Sequence, residues 1–200
     1  ISSDGELLWT SNGITLDSGY DIKGSFTDLK IIKDESGGAF ICSSEFAAKP
    51  VSIPLEDQQK DLTKIITHVD SQGNILWQEK VDGVDYIMGD NLGSVLVIWV
   101  EAKSNDLLLL KLNEQGKSAW YERGPLRIGH CLNGNLDSFS LVSDGISNCY
   151  ITWQDGHNVF AQKVSIYGEL LWGDTGVLVC KDRGSRPCIA ADASGGAILS

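Results

Sequence analysis

Apolar residues fall in short runs along the chain, such as Val95–Val100 and Leu107–Leu110, or alternate with polar ones, as in Lys64–Val69. Polar segments containing Asp, Asn, Ser and Gly close each run. Runs of this length and composition predict β-strands joined by tight turns. No stretch of about ten residues combines a helical period with capping residues, and the one place suited to a helical turn is Glu45–Leu62.

Two turn signatures recur. The first is an apolar residue, then Asp, Asn or Ser, two residues, Gly, three residues and Trp. It appears at Ile1 to Trp9, Val69 to Trp77, Leu112 to Trp120 and Val164 to Trp172, and so places four of the six tryptophans. The second is Asp, two residues, a Gly-Gly-like pair and an apolar run. It occurs at Asp34 with Gly37-Gly38, Asp90 with Gly93-Ser94, Asp192 with Gly195-Gly196, and more weakly at Asp144 with Ser147-Asn148. Trp99 and Trp153 follow Asp90 and Asp144 at one common offset, whereas the Asp34 unit has Ser43 there.

Each signature reads as a hairpin turn, in which Asp bonds its own backbone and Gly takes a positive φ. Leu29–Ile32 should pair with Ala39–Cys42 across the Asp34 turn, and Lys64–Val69 with Asn74–Trp77 across the Asp70 turn. Two hairpins in series make a four-stranded antiparallel meander, and the unit returns roughly every 50 residues. Such a sheet has two apolar faces and no core of its own, so it must stack on its neighbours. Tryptophans burying ~150–250 Å² each would fill the space between sheets. The expected fold is therefore all-β: a partial β-propeller of three complete four-stranded blades with half blades at each end. Blade boundaries are predicted at 1–24, 25–81, 82–129, 130–184 and 185–200 of a single domain. The two half blades together fall short of a full blade, which suggests a window cut from a longer chain; the rival is a small four-bladed ring with one three-stranded blade.

The stretch Val159–Val164 through Gly168–Trp172, continued by Arg186–Asp192 and Gly195-Gly196, resembles the repeats of certain large secreted bacterial and archaeal β-propeller-type proteins. Their units run apolar-Ala-Gln, a turn to Gly-x-x-x-Trp, then Pro-x-Ile and Asp-x-x-Gly-Gly. The likeness is sharpest over Ser138–Ser200. It implies architecture and an exported or cell-surface setting, but almost no chemistry. A looser similarity to quinoprotein-type repeats rests on Gly116 to Trp120, with no matching cofactor-binding motif.

Composition narrows the function classes. Sixteen basic against 27 acidic residues give a net charge of −11, which opposes nucleic acid and anionic lipid. No apolar run approaches the ~20 residues of a membrane-spanning helix. Five cysteines include no Cys-x-x-Cys pair. Cys42 and Cys149 sit in strand-like runs as small hydrophobes, while Cys180 and Cys188 flank a polar segment that leaves a bridge or two free thiols open.

His68, His130 and His157 lack metal-ligand spacing. Asp34, Asp90, Asp144 and Asp192 suffice as turn residues; calcium ligation or a ring of catalytic carboxylates is the sharper alternative. The residues therefore nominate no catalytic, cofactor-binding or metal site and no cofactor. They point to a non-catalytic binding module, with a protein or glycan partner, rather than an enzyme. The alternative is a carbohydrate-active or quinoprotein-like propeller enzyme. Residues 45–62, the longest interruption of the repeat, are a candidate recognition loop or a tolerated insertion.

Overall fold

A computed structural model describes residues 29–45, 63–90, 92–120, 124–131, 138–146, 148–182, 184–192 and 194–200. The first copy of the Gly-x-x-x-Trp signature, the half blade 1–24, the loop 46–62 and Ser147 lie outside these residues. The chain divides into two compact units, Ile1–Val84 and Asp85–Ser200.

The described residues are all-β, without a helix. In the first unit β1 (Lys30–Lys33), β2 (Ala39–Glu45), β3 (Thr63–Val69) and β4 (Ile75–Val81) form one antiparallel sheet in chain order, here sheet A. In the second unit β5 (Tyr86–Gly89), β6 (Val95–Val100), β7 (Asp106–Leu112) and β8 (Leu126–His130) form sheet B the same way. Sheet C comprises β9 (Phe139–Ser143), β10 (Asn148–Asp155), β11 (Asn158–Ser165) and β12 (Val177–Cys180). The hairpin of β13 (Ile189–Ala191) and β14 (Ala197–Leu199) is sheet D. The predicted hairpins occur in register: Ile31 lies opposite Ile41 across the Asp34 turn, and His68 opposite Trp77 across the Asp70 turn.

Sheets B and C pack face to face. Leu96, Ile98, Leu107, Leu109 and Ile128 from sheet B meet Cys149, Ile151, Trp153 and Val164 from sheet C in one buried cluster. Each side also contributes a tryptophan. Trp120 follows β7, is 3 % exposed, and donates from Nε1 to the Ile166 carbonyl at 3.1 Å. Trp153 stands in β10, 1 % exposed, where its ring fills the space above Gly129; any Cβ on that glycine would overlap Cζ2 of the indole. Gly168 is equally constrained, since its φ is +79° and a Cβ would lie 2.7 Å from Trp120 Cγ. Sheet D lies against the opposite face of sheet C, with the Ile189 amide donating to Ser140 Oγ at 3.3 Å. Sheet C is thus covered on both sides, as the repeat requires of a sheet without its own core.

The fourth strand departs from the expected run-on after Gly-x-x-x-Trp. The chain makes one bridge, Leu112 to Ser118 in sheet B and Val164 to Leu170 in sheet C. It then leaves the ladder and rejoins as β8 or β12, so Trp120 and Trp172 sit outside strands. In sheet C a side chain explains the detour. Gln162, fully buried, accepts from the Trp172 amide at 3.0 Å and donates to the Gly173 carbonyl at 2.6 Å. A side-chain amide offers a donor and an acceptor together, and here substitutes for the missing ladder bonds.

The cysteines take no part in disulfides. Cys180 ends the outer edge strand β12, whereas Cys188 leads into β13, which lies against β9 and β10 near the far edge of the sheet. Both are free thiols. Burial pushes the Cys149 thiol up to about 12, so it is a protonated core residue. With a maleimide at neutral pH, exposed Cys188 is expected to react in minutes while Cys149 stays unlabelled until the protein unfolds; mass spectrometry of the labelled peptides reads this out.

Candidate functional site

The four-stranded meander gives every sheet two ends. One carries the β1–β2 and β3–β4 type turns, the other the connection between second and third strands.

At the first end, one geometry repeats seven times. The residue at the head of each turn donates its amide to the carbonyl four residues on: Asp34 to Gly38, Asp70 to Asn74, Asp90 to Ser94, Asn113 to Lys117, Asp144 to Asn148, Ser165 to Glu169 and Asp192 to Gly196. Its side-chain oxygen then accepts the amides two and four residues on. For Asp90 these are Leu92 and Ser94 at 2.8 and 3.0 Å, and for Asp192 Ser194 and Gly196, both at 2.8 Å. Asn113 and Ser165 do the same with neutral oxygens. Both sequence signatures are therefore one physical device, an Asx or Ser turn, with glycine at its fourth position in all but the Asp144 turn.

This accounts for Asp34, Asp90, Asp144 and Asp192, which serve separate turns. For Asp34 and Asp192, hydrogen bonds to the ionised form set the charge. Backbone amides of Ser194 and Gly196 hold the Asp192 carboxyl below the ordinary carboxylate range, and the Asn74 side chain does the same for Asp70. Burial by itself would push Asp34 up; bonds from His68, Ser36 and Gly38 outweigh it and keep its carboxyl low.

A group whose folded value is depressed contributes stability that is complete above its unfolded value and is lost as pH falls through the folded one. The Asp34, Asp70 and Asp192 turns should accordingly hold at pH 5 and weaken together below about pH 4. Tryptophan fluorescence followed through an acid titration should show no transition above that range and a cooperative one below it.

Two turn carboxylates carry a further charge contact inside the sheet. The His68 Nε2 lies 2.7 Å from Asp34 Oδ2, with side-chain exposures of 7 % and 2 %. The Lys111 Nζ lies 2.7 Å from Asp90 Oδ2, close but out of line for a hydrogen bond. This second pair sits in a slot, also lined by Leu96, Trp120, Ser143 and Cys149, large enough for about one water molecule.

The second end differs from sheet to sheet. Its connections span residues 46–62 in sheet A, Glu101–Asn105 in sheet B and the tight Gly156-His157 turn in sheet C. Sheet B gathers a polar cluster here. Asp106 Oδ1 accepts from Arg127 Nε at 2.6 Å and lies 3.4 Å from His130 Nδ1. Ser104 donates to Glu101 at 2.5 Å and accepts from the Asp106 amide at 3.2 Å, beside Asn105 in the left-handed region at φ 58°. The Arg127 hydrogen bond holds the Asp106 carboxyl below the usual range. His130, isolated in sequence, thus belongs to a cluster that antiparallel register assembles. At the same end, between sheets C and D, Val159, Val179, Cys180, Gly184, Pro187 and Leu199 help line a pocket of about 250 Å³. Small-molecule sites usually occupy ~300–1,000 Å³, so this pocket suits a side chain or a single sugar ring.

Among the described residues no three His, Cys, Asp or Glu side chains are placed to share a metal ion. No helix among them is long and apolar enough to cross a membrane. No protein-family model matches the chain, and no curated protein matches it.

Proposed function

We propose that the chain is part of a β-propeller whose four-stranded blades form a non-catalytic scaffold, presenting the variable end of its sheets to a protein or glycan partner in an exported or cell-surface protein. One contrast carries the reading. At one end seven turns repeat a single hydrogen-bond pattern that uses up their polar side chains. At the other, connections change in length and chemistry from sheet to sheet. Loops that vary on a uniform frame are where recognition concentrates.

The blade arrangement is supported by strand order and by sheet C, covered on one face by sheet B and on the other by sheet D. Asp34, Asp70 and Asp192 are engaged in their own turns with carboxyls held below the ordinary range, so these turn residues do not supply the raised acid of a glycoside-cleaving pair.

A glycan array, run beside a panel of chromogenic glycosides, tests the proposal. It expects saturable retention without turnover, weakened at least tenfold by Arg127→Ala and unchanged by Asp192→Asn. Turnover of any glycoside would overturn it. If the array is silent, a proteomic crosslinking screen reads the protein-partner arm by the same two variants, and partners indifferent to Arg127 count against the proposed face.

A further inference from the structure

The third strand of each four-stranded sheet carries a basic residue at one register position. It is His68 opposite Phe40 in β3, Lys111 opposite Leu96 in β7, and Lys163 opposite Tyr150 in β11. In sheet C this position reaches the next sheet directly. Lys163 lies 5.3 Å from the Tyr150 ring centroid and donates to the Gly195 carbonyl of sheet D at 2.7 Å. In sheet B the corresponding Lys111 lines the slot where sheets B and C meet, with Nζ 2.7 Å from Asp90 Oδ2 but out of line for a hydrogen bond.

Asp90 Oδ2 is the atom in need of a partner. Its side chain is 4 % exposed, Oδ1 accepts the Leu92 and Ser94 amides, and Oδ2 is buried without a hydrogen bond. A buried carboxylate oxygen left in that state is costly. Beside it the slot has room for about one water molecule. The walls decide what fits. The Lys111 ammonium repels a metal ion and the Asp90 carboxylate repels an anion, while Leu96, Trp120 and Cys149 supply apolar surface. That selects a small neutral molecule able to donate and accept at once. Sheet C offers it an anchor in Ser143, whose Oγ accepts from the Gly145 amide at 3.0 Å and donates to the Asp90 carbonyl at 3.3 Å. A hydroxyl has two acceptor positions, so one is left. Ser165, also on the slot, already bonds the Tyr167 amide and both the amide and the carboxylate of Glu169.

We propose that this slot is the binding site of one long-lived water, which donates to Asp90 Oδ2 and to Ser143 Oγ and accepts from Lys111 Nζ. Three hydrogen bonds are the usual complement of an internal water. The molecule gives Asp90 the aligned donor that Lys111 does not, and carries the charge of sheet B across to a hydroxyl of sheet C. It thereby does at the contact of sheets B and C what Lys163 does directly at the contact of sheets C and D. The apolar cluster between sheets B and C has no directional bond of its own, and this bridge fixes how the Asp90 and Asp144 turns sit side by side.

Oxygen-17 relaxation dispersion of the full chain counts long-lived internal waters and does not respond to protons exchanging from hydroxyl or ammonium groups. Ser143→Val and Ser143→Thr add similar bulk and differ by the hydroxyl. The count should be the same in the wild type and Ser143→Thr, and lower by one in Ser143→Val. A count that Ser143→Val leaves unchanged, or that both variants lower alike, overturns the proposal. Should Ser143→Val not fold, a high-resolution crystal structure of the wild type decides. A water within about 3.2 Å of both Asp90 Oδ2 and Ser143 Oγ supports the bridge. A slot closed by Lys111 Nζ aligned on Asp90 Oδ2, or one holding an ion, contradicts it.

Discussion

Trp153→Ala is expected to destabilise the Asp85–Ser200 unit by about 3–5 kcal/mol, the usual cost of removing a fully buried large aromatic. The indole is 1 % exposed, stacks on Phe160 with centroids 5.7 Å apart, and covers both Gly129 and Gly176. Both glycines bring backbone against the ring, with no side chain there to move into the emptied space. Collapse is limited on those two sides, which places the cost toward the upper end. Trp153→Phe should recover roughly half. Trp172→Ala serves as the control: that ring is only half-buried, beside Tyr150, and its removal should cost less than half as much. Urea unfolding followed by circular dichroism gives all three values on one scale.

The second large effect is electrostatic. Lys111→Met keeps an aliphatic stem against Leu96 and Trp120 but strands the Asp90 carboxylate, which is 4 % exposed in its side chain. Removing one partner of a buried ion pair costs about 3–5 kcal/mol. Two backbone amides still satisfy Asp90 Oδ1, so a loss near 3 kcal/mol is expected. The informative measurement is the double variant. Asn113 already performs the same turn in sheet B with a neutral oxygen. Asp90→Asn combined with Lys111→Met should therefore restore most of the loss, giving a strongly positive coupling in the cycle. Additive effects would mean that Lys111 contributes by packing alone.

These two residues mark what was legible in the sequence and what was not. Strands and turns were legible because a two-residue side-chain period and a four-residue turn are local properties. Asp34, Asp90 and Asp192 stand in the predicted turns, and Ile31 and Ile41 in the predicted pairing. The tryptophans were legible as spacers, but not the detour after Trp120 and Trp172, because Gln162 replaces the ladder with a side-chain amide that no turn signature announces. The basic position shared by His68, Lys111 and Lys163 was hidden for another reason. It exists only in cross-strand register, where the three residues occupy one place. Asp106, Arg127 and His130 are likewise scattered along the chain and meet only through the β7–β8 pairing.

Everything rests on small sheets being held together by side chains that pass from one to the next. Through-space proton contacts of the Trp153 indole in a methyl- and aromatic-labelled sample report on this directly. The account expects strong cross-peaks from the indole ring to the Gly129 α-protons of the neighbouring sheet, together with those to Phe160 in its own. An indole that sees Phe160 and Gly176 but nothing of β8 would contradict it.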